Sequence, residues 1–190
     1  METLRQRVLL DGQAIGTDIL KVDSFLNHQL DVALLDEIGG ELYRRFQGDN
    51  ITRILTIEAS GIAVACAAAR LFGVPVVFAK KGAVDSMPED SYTAECFSFT
   101  RGQAFVARVS HKYLNASDQV LVVDDFLANG RAAMALCEIV RQANAALCGV
   151  GIVIEKGFQG GRKVLQDAGV RVESLVVVER LADGEIVLAP

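Results

Sequence analysis

Tryptophan is absent from this chain, and proline, histidine and cysteine are scarce, at three, two and four of 190 residues. So few prolines leave no proline-rich linker, and no low-complexity tract or internal repeat is visible. The cysteines, Cys66, Cys96, Cys137 and Cys148, include no C-x-x-C pair. With His28 and His111 they lack the close ligand spacing of a zinc site, so they read as small buried hydrophobes. No apolar run approaches the ~18 residues that span a bilayer. The opening Met-Glu-Thr-Leu-Arg-Gln-Arg precedes no sustained apolar core of the signal-peptide kind, and a soluble cytoplasmic protein is expected. A net charge of −5 argues mildly against a nucleic-acid-binding surface. What is abundant is apolar material, 51% of the chain, enough for one domain over residues 1–190 with a substantial core.

Periodicity places the elements. Val32, Leu34, Leu35, Ile38, Leu42 and Phe46 mark an amphipathic helix over Asp31–Gln47. Gly39-Gly40 inside it costs about 1 kcal/mol per glycine relative to alanine, which a close backbone contact would explain. Ile51–Ile57 predicts a strand, Gly61–Leu71 a buried helix ended by Gly73, and Val74–Ala79 a parallel strand. Lys80–Tyr92 reads as a mobile loop. Thr93–Thr100 and Gln103–Ser110 alternate in strand fashion around Arg101-Gly102, as a hairpin inserted into the α/β alternation. Val120–Val123, Leu147–Ile154 and Val172–Val178 complete the core strands, with helices at Gly130–Ala143 and Gly161–Ala168 and an edge strand at Ile186–Leu188. The expected architecture is α/β: a doubly wound, mainly parallel sheet with an inserted hairpin and an N-terminal segment outside it.

The most informative stretch is Val120-Leu121-Val122-Val123-Asp124-Asp125-Phe126-Leu127-Ala128-Asn129-Gly130-Arg131-Ala132. A buried strand delivers two adjacent carboxylates to the rim where ligands of parallel sheets bind. Such acids repel each other unless cations or hydroxyls satisfy them. The helix start beyond them offers free backbone N–H groups to an anion. Two other strand ends open on the same rim. Glu58-Ala59-Ser60-Gly61 is small enough for backbone amides to approach a diphosphate. Glu155-Lys156-Gly157-Phe158-Gln159-Gly160-Gly161 offers an ammonium and an aromatic ring that could stack on a flat one. Each loop alone has an ordinary explanation: a turn with a capping serine, a solvated acidic loop, a surface lysine beside a core phenylalanine. Together they describe a ligand with a diphosphate, a ribose 5′-phosphate and a planar heterocycle.

On these residues the chain resembles the type I phosphoribosyltransferases, whose signature is four hydrophobic residues, two acids and a small-residue loop for 5-phosphoribosyl-1-diphosphate. It departs from many members in carrying Asn129-Gly130 in place of Thr-Gly. The likeness extends over nearly the whole chain. It is strongest toward the bacterial subfamily that uses xanthine, including Gly16-Thr17-Asp18-Ile19-Leu20-Lys21-Val22-Asp23-Ser24-Phe25-Leu26-Asn27-His28-Gln29. The resemblance implies that residues 1–30 contribute a hood over the base. It implies that Leu20, Asn27 and Lys156 contact xanthine, that Ala128, Asn129, Gly130, Arg131 and Ala132 hold the 5′-phosphate, and that Asp124 and Asp125 hold the ribose hydroxyls. The Ala59, Ser60 and Gly61 amides would receive the diphosphate, with Lys80 or Lys81 closing over it. Mg2+ would be bound mainly through the sugar diphosphate, with no direct protein ligand, and a homodimer is implied. A lysine donor suits a 6-oxopurine better than adenine, because an ammonium facing the adenine amino group leaves a buried group unpaired, at about 1–3 kcal/mol. The expected reaction gives xanthosine 5′-monophosphate and diphosphate. His28 and His111, lacking a visible partner, read as packing or surface residues.

Three other readings compete. A guanine- or hypoxanthine-preferring enzyme differs only at the C2 substituent of the base. A purine regulator sensing the sugar diphosphate would need a DNA-binding module, and roughly 50 residues before the first core strand are too few for that and a hood. A phosphorylation receiver domain also carries an Asp-Asp pair after a strand. It needs an aspartate at a later strand end, where this chain has Ile154-Glu155-Lys156.

Overall fold

The computed structural model describes residues 1–82, 90–98, 103–182 and 184–190. The chain opens with α1 (Glu2–Asp11), a two-stranded antiparallel hairpin of β1 (Gln13–Ile15) and β2 (Ile19–Lys21), and a π-helical turn over Asp23–Asn27. The main body follows as α2 (Val32–Phe46), β3 (Arg53–Ile57), α3 (Gly61–Phe72), β4 (Val76–Gly82), β5 (Ser91–Ser98) and β6 (Gln103–Ser110). It continues with β7 (Gln119–Leu127), α4 (Arg131–Gln142), β8 (Ala146–Lys156), α5 (Gly161–Asp167), β9 (Val172–Ala182) and β10 (Glu185–Leu188).

Eight strands form one sheet in the order β10-β9-β8-β7-β3-β4-β6-β5. The five in the middle, β9 through β4, are mutually parallel; β10, β6 and β5 pair antiparallel at the edges. Period-two alternation sorts β7 between two cores. Leu121 and Val123 pack with α1, α2 and α3, whereas Val120 and Val122 pack with Leu136, Ile139 and Val140 of α4 and Leu165 of α5. Helices on both faces explain why the middle of each central strand is apolar on both sides. The doubly wound, mainly parallel architecture and the inserted antiparallel hairpin are therefore those expected from the sequence. Among the described residues no helix is long and apolar enough to cross a membrane.

Several boundaries differ from expectation. β4 does not stop at Ala79; Lys80 and Lys81 continue it, paired with Arg108 and Ala107 of β6. The parallel partner β3 ends at Ile57, and the antiparallel partner takes over the backbone hydrogen bonding that a loop reading leaves to solvent. β5 likewise begins at Ser91. The rest of the expected loop, residues 83–89, and the Arg101-Gly102 turn lie outside the described residues. β7 runs past the acid pair to Leu127 because β8 pairs with it as far as Leu127↔Glu155. Cys96 is buried and Cys137 and Cys148 are half-buried, and burial pushes the Cys137 thiol up to about 11. Cys66 departs from the buried-hydrophobe reading, since its position on α3 is exposed.

α2 shows how the sequence sets local structure. Asp31 caps it, its Oδ1 accepting from the Leu34 N–H at 3.1 Å. Leu34, Leu35, Ile38, Leu42 and Phe46 bury one face. Gly39 supplies the close approach: a Cβ there would lie 2.6 Å from the Ala67 carbonyl carbon and 2.9 Å from the Ala68 nitrogen, both α3 backbone. Gly40 has nothing within 4 Å of its notional Cβ. Adjacent glycines thus predict opposite effects. Gly39→Ala should lower stability by about 1–3 kcal/mol through overpacking. Gly40→Ala should raise it by about 0.5–1 kcal/mol through helix propensity. Urea unfolding midpoints of the two variants check both signs.

Candidate active site

The parallel sheet reverses its winding between β3 and β7. From β3 the chain passes through α3 to β4 on one side; from β7 it passes through α4 to β8 on the other. α3 packs on one face and α4 on the opposite face, so the loops leaving β3 and β7 diverge and open a crevice at their carboxyl ends. The Glu58–Gly61 loop and the Asp124–Arg131 segment flank this crevice, and the end of β8, at Lys156, lies next along the rim.

Asp124 is 6% exposed. Its Oδ1 accepts the Asp125 backbone N–H at 3.0 Å. Burial and the neighbouring Asp125 carboxylate hold the Asp124 carboxyl well above the usual aspartate range, with Lys81 opposing. Gly61 sits directly over this group: a Cβ there would collide with the Thr56 hydroxyl and lie 2.7 Å from Asp124 Oδ1. The first two loops therefore meet at atomic contact distance. Thr56 is fully buried, and its hydroxyl has no hydrogen-bond partner among the described residues. A polar residue in the otherwise apolar Ile54–Ile57 run was the signal for it, and sequence reasoning passed over it.

Ala59 is exposed and Ser60 half-buried at the start of α3. The Ser60 side chain makes no capping bond, so the ordinary reading of a capping serine does not apply. The Glu58–Ala59 peptide is cis. Glu58 Oε1 accepts the Lys81 backbone N–H at 2.6 Å, tying this loop to β4. Lys81 is near enough to Asp124 and Cys96 to act on both electrostatically. Lys80, alternating to the other side, lines a different groove with Arg53, Phe78 and Tyr113. The two lysines are thus separated, and Lys81 belongs with the crevice.

At the second loop, Gly130 adopts φ +83° and heads α4 without a side-chain cap. Asn129 Oδ1 turns back to accept the Arg131 N–H at 3.2 Å. Ala128 O accepts the Gly161 N–H at 3.1 Å, and a Cβ on Gly161 would lie 2.7 Å from the Gly130 nitrogen. The second and third loops are consequently packed backbone to backbone.

Lys156 Nζ donates to the Asp18 carbonyl at 2.7 Å and lies 5.6 Å from the Phe126 ring centroid. Burial lowers its pKa from the ordinary lysine value, against the pull of Asp18. The contact brings the tip of the β1–β2 hairpin to the β8 end. Leu20, at the centre of β2 in that hairpin, is buried, and Asn27 is exposed at the end of the π-helical turn. Phe126 was not singled out from sequence, although its place directly after the two acids was the available clue. Glu155 differs from its expected place in a polar loop: it is part of β8, buried, and turned toward Arg162 and Ser174. His28 is exposed beside Asp11 and Asp23, and His111 pairs with Asp90 at 2.9 Å against Tyr92. Among the described residues no three His, Cys, Asp or Glu side chains form a cation-binding cluster.

The crevice defines a class: parallel α/β proteins that bind an anionic, hydroxyl-bearing ligand at the switch point of the sheet. A family model of the phosphoribosyl transferase domain matches residues 21–176. The chain is 58% identical over 187 residues to a xanthine phosphoribosyltransferase of Clostridium novyi, covering 98% of each. It is 50% identical over 190 residues to a xanthine phosphoribosyltransferase of Lacticaseibacillus casei, covering 100% of this chain and 99% of that one. Among solved structures, an APRTase from Giardia lamblia complexed with 9-deazaadenine superposes with TM-score 0.77 at 20% identity, covering 92% and 97% of the two chains. An adenine phosphoribosyltransferase from Saccharomyces cerevisiae gives 0.73 at 24%, covering 92% and 99%. These two share the fold. The chain belongs to the phosphoribosyltransferase family.

The Asp124 environment makes a prediction about stability. Because its folded pKa is raised, the folded state holds the proton more tightly than the unfolded state does. That advantage is complete below the ordinary value of 3.8 and is lost as pH rises through the folded value. Asp124→Asn should therefore raise the melting temperature at pH 8, by about 2–4 °C for each kcal/mol relieved. The gain should shrink as pH falls toward 3.8. Calorimetry of both proteins across that range measures it.

Proposed function

We propose that this protein transfers the 5-phosphoribosyl group of 5-phosphoribosyl-1-diphosphate to xanthine, giving xanthosine 5′-monophosphate and diphosphate. The observation that carries the proposal is the packing of three rim loops into one crevice: Gly61 on Asp124, and Gly161 on Ala128 and Gly130. The extensive identity to proteins named for xanthine supports the choice of base.

In this reading Asp124 and Asp125 hold the ribose hydroxyls and place negative potential beside the ribosyl cation that develops as the C1–O bond to diphosphate breaks. A C1–N bond to the purine forms, and the ring nitrogen loses its proton. Ala128, Asn129, Gly130, Arg131 and Ala132 hold the 5′-phosphate at the start of α4. Ala59, Ser60 and Gly61 present backbone amides to the diphosphate, with Lys81 alongside. Lys156 donates to a purine oxygen, Phe126 offers its ring, and residues 1–30, with Leu20 and Asn27, hood the base. Two adjacent carboxylates, Asp124 and Asp125, supply hard oxygen donors beside the substrate, a set that fits Mg2+ carried mainly by the sugar diphosphate. Bound there, Mg2+ would neutralise the charge of the leaving diphosphate. Orientation and electrostatics carry the rate in this scheme, without a single general base. The 190 residues act as one domain, and a homodimer is the proposed assembly.

A spectrophotometric assay with Mg2+, the sugar diphosphate and each of xanthine, guanine, hypoxanthine and adenine tests the activity. Xanthine should turn over fastest and adenine not at all; sugar diphosphate binding without diphosphate release would mark a regulator instead. Asp125→Ala should lower kcat by about 100-fold or more while leaving the circular dichroism spectrum unchanged. Lys156→Ala should raise the xanthine KM roughly 5- to 150-fold, the equivalent of about 1–3 kcal/mol for a lost buried partner.

A further inference from the structure

Glu155 carries a charge in an unusual place. It is 3% exposed at the carboxyl end of β8, one residue before Lys156. Its carboxylate is engaged inward. Arg162 Nε donates to its two oxygens at 2.9 and 3.0 Å, an Arg162 terminal nitrogen donates to Oε2 at 2.6 Å, and the Ser174 hydroxyl donates to Oε2 at 2.6 Å. Arg162 also donates to the Val172 carbonyl at 3.2 Å and to Ser174 Oγ at 3.1 Å. The guanidinium thus ties together β8, α5 and β9. Another buried acid, Asp118, pairs with Arg53 at the opposite end of the sheet, away from the crevice. The Glu155–Arg162 pair lies at the rim end of β8, with its polar atoms turned to α5 and β9.

The residues between Glu155 and Arg162 form the third loop. Lys156 still pairs with Val178, after which the chain reverses through a 3-10 turn at Gly157–Gln159 and a left-handed Gly160, φ +74°. The ion pair closes that excursion at its two ends. Gly161 has its own brace on Ala128 of the phosphate loop. Among the described residues Lys156 is held by its strand, the Asp18 carbonyl and the face of the Phe126 ring, none of which fixes its backbone beyond the ladder. A lysine side chain has four rotatable bonds, so the aim of its ammonium depends on how firmly its backbone is held.

We propose that Arg162 is a positioning residue for the purine: through its fork on Glu155 it fixes the end of β8 and so aims Lys156 at the base. The inference rests on the reading of Lys156 as the purine donor. Arg162→Lys keeps the charge and loses the planar fork, because an ammonium cannot serve both carboxylate oxygens, the Val172 carbonyl and Ser174 together. Steady-state kinetics of this variant should show a xanthine KM raised about tenfold, with kcat and the KM for the sugar diphosphate changed less than about threefold. A purely structural role would lower the active fraction and leave KM alone.

Removing one partner strands a buried charge, so the second variant replaces both: Glu155→Leu with Arg162→Leu, which keeps an apolar, foldable interior. It should melt near the parent temperature and show the same rise in xanthine KM. In a Lys156→Ala background, Arg162→Lys should add less than about twofold to that KM, because the group it aims is gone. A xanthine KM within about twofold of the parent in both folded variants would overturn the proposal while leaving the base-site reading intact. An undiminished effect in the Lys156→Ala background would do the same. An unchanged xanthine KM in Lys156→Ala itself would overturn the base-site reading and the proposal with it.

Discussion

Placing a carboxylate at the end of a fully buried strand sets the terms for the rest of this structure. Asp124 follows four apolar residues that are sealed between two helical layers, and the fold leaves its oxygens little but the Asp125 backbone N–H. Such a group resists ionisation, and a second acid beside it deepens the resistance. The sheet holds the pair there through β8, whose ladder with β7 runs past it. A cation-bearing or hydroxyl-rich ligand would relieve that tension, so part of the affinity of the crevice is prepared when the chain folds.

Close backbone approach is the second organising constraint. Gly61 sits over Asp124 and Thr56, Gly161 sits against the Ala128–Gly130 loop, and Gly39 lets α2 lie on α3. At each of these places a side chain is missing because the neighbouring backbone or acid occupies its volume. The first two hold the three rim loops in fixed relation to one another. The third anchors the helical layer from which α3 presents its amino terminus to the crevice.

Much of this was legible in the sequence, and the parts that were not have physical reasons. The abrupt change from Val123 to Asp124 marked a buried strand that delivers two acids to the sheet rim, because four apolar residues need cover on both faces. The glycines of the rim loops were visible as loop residues, but their contacts with each other were not, since sequence spacing carries no information about which loops meet. Lys80 and Lys81 read as loop because two charges seldom continue a buried strand; the antiparallel partner β6 takes up their backbone groups while both side chains stay exposed. Glu155 read as part of a polar rim loop because its partners, Arg162 and Ser174, come from two later elements. From periodicity alone the N-terminal helix and hairpin were seen as a segment outside the sheet, with a hood implied only by resemblance, since α1 is short and buries just Leu4 and Val8.

The pairing of β3 with β7 is the shortest link in the parallel core: Arg53↔Val120, Ile54↔Leu121 and Leu55↔Val122, against a run from Gln119 to Leu127 between β7 and β8. Beyond Leu55 the two strands part. In the proposed reaction the diphosphate is held on the β3 bank and the ribose phosphate and purine on the β7–β8 bank. The bond that breaks therefore spans the line along which the sheet is least stitched. There the backbone ladder stops short of the acid pair on its β3 side, and in the proposed reaction the substrate, not the sheet, bridges the two banks.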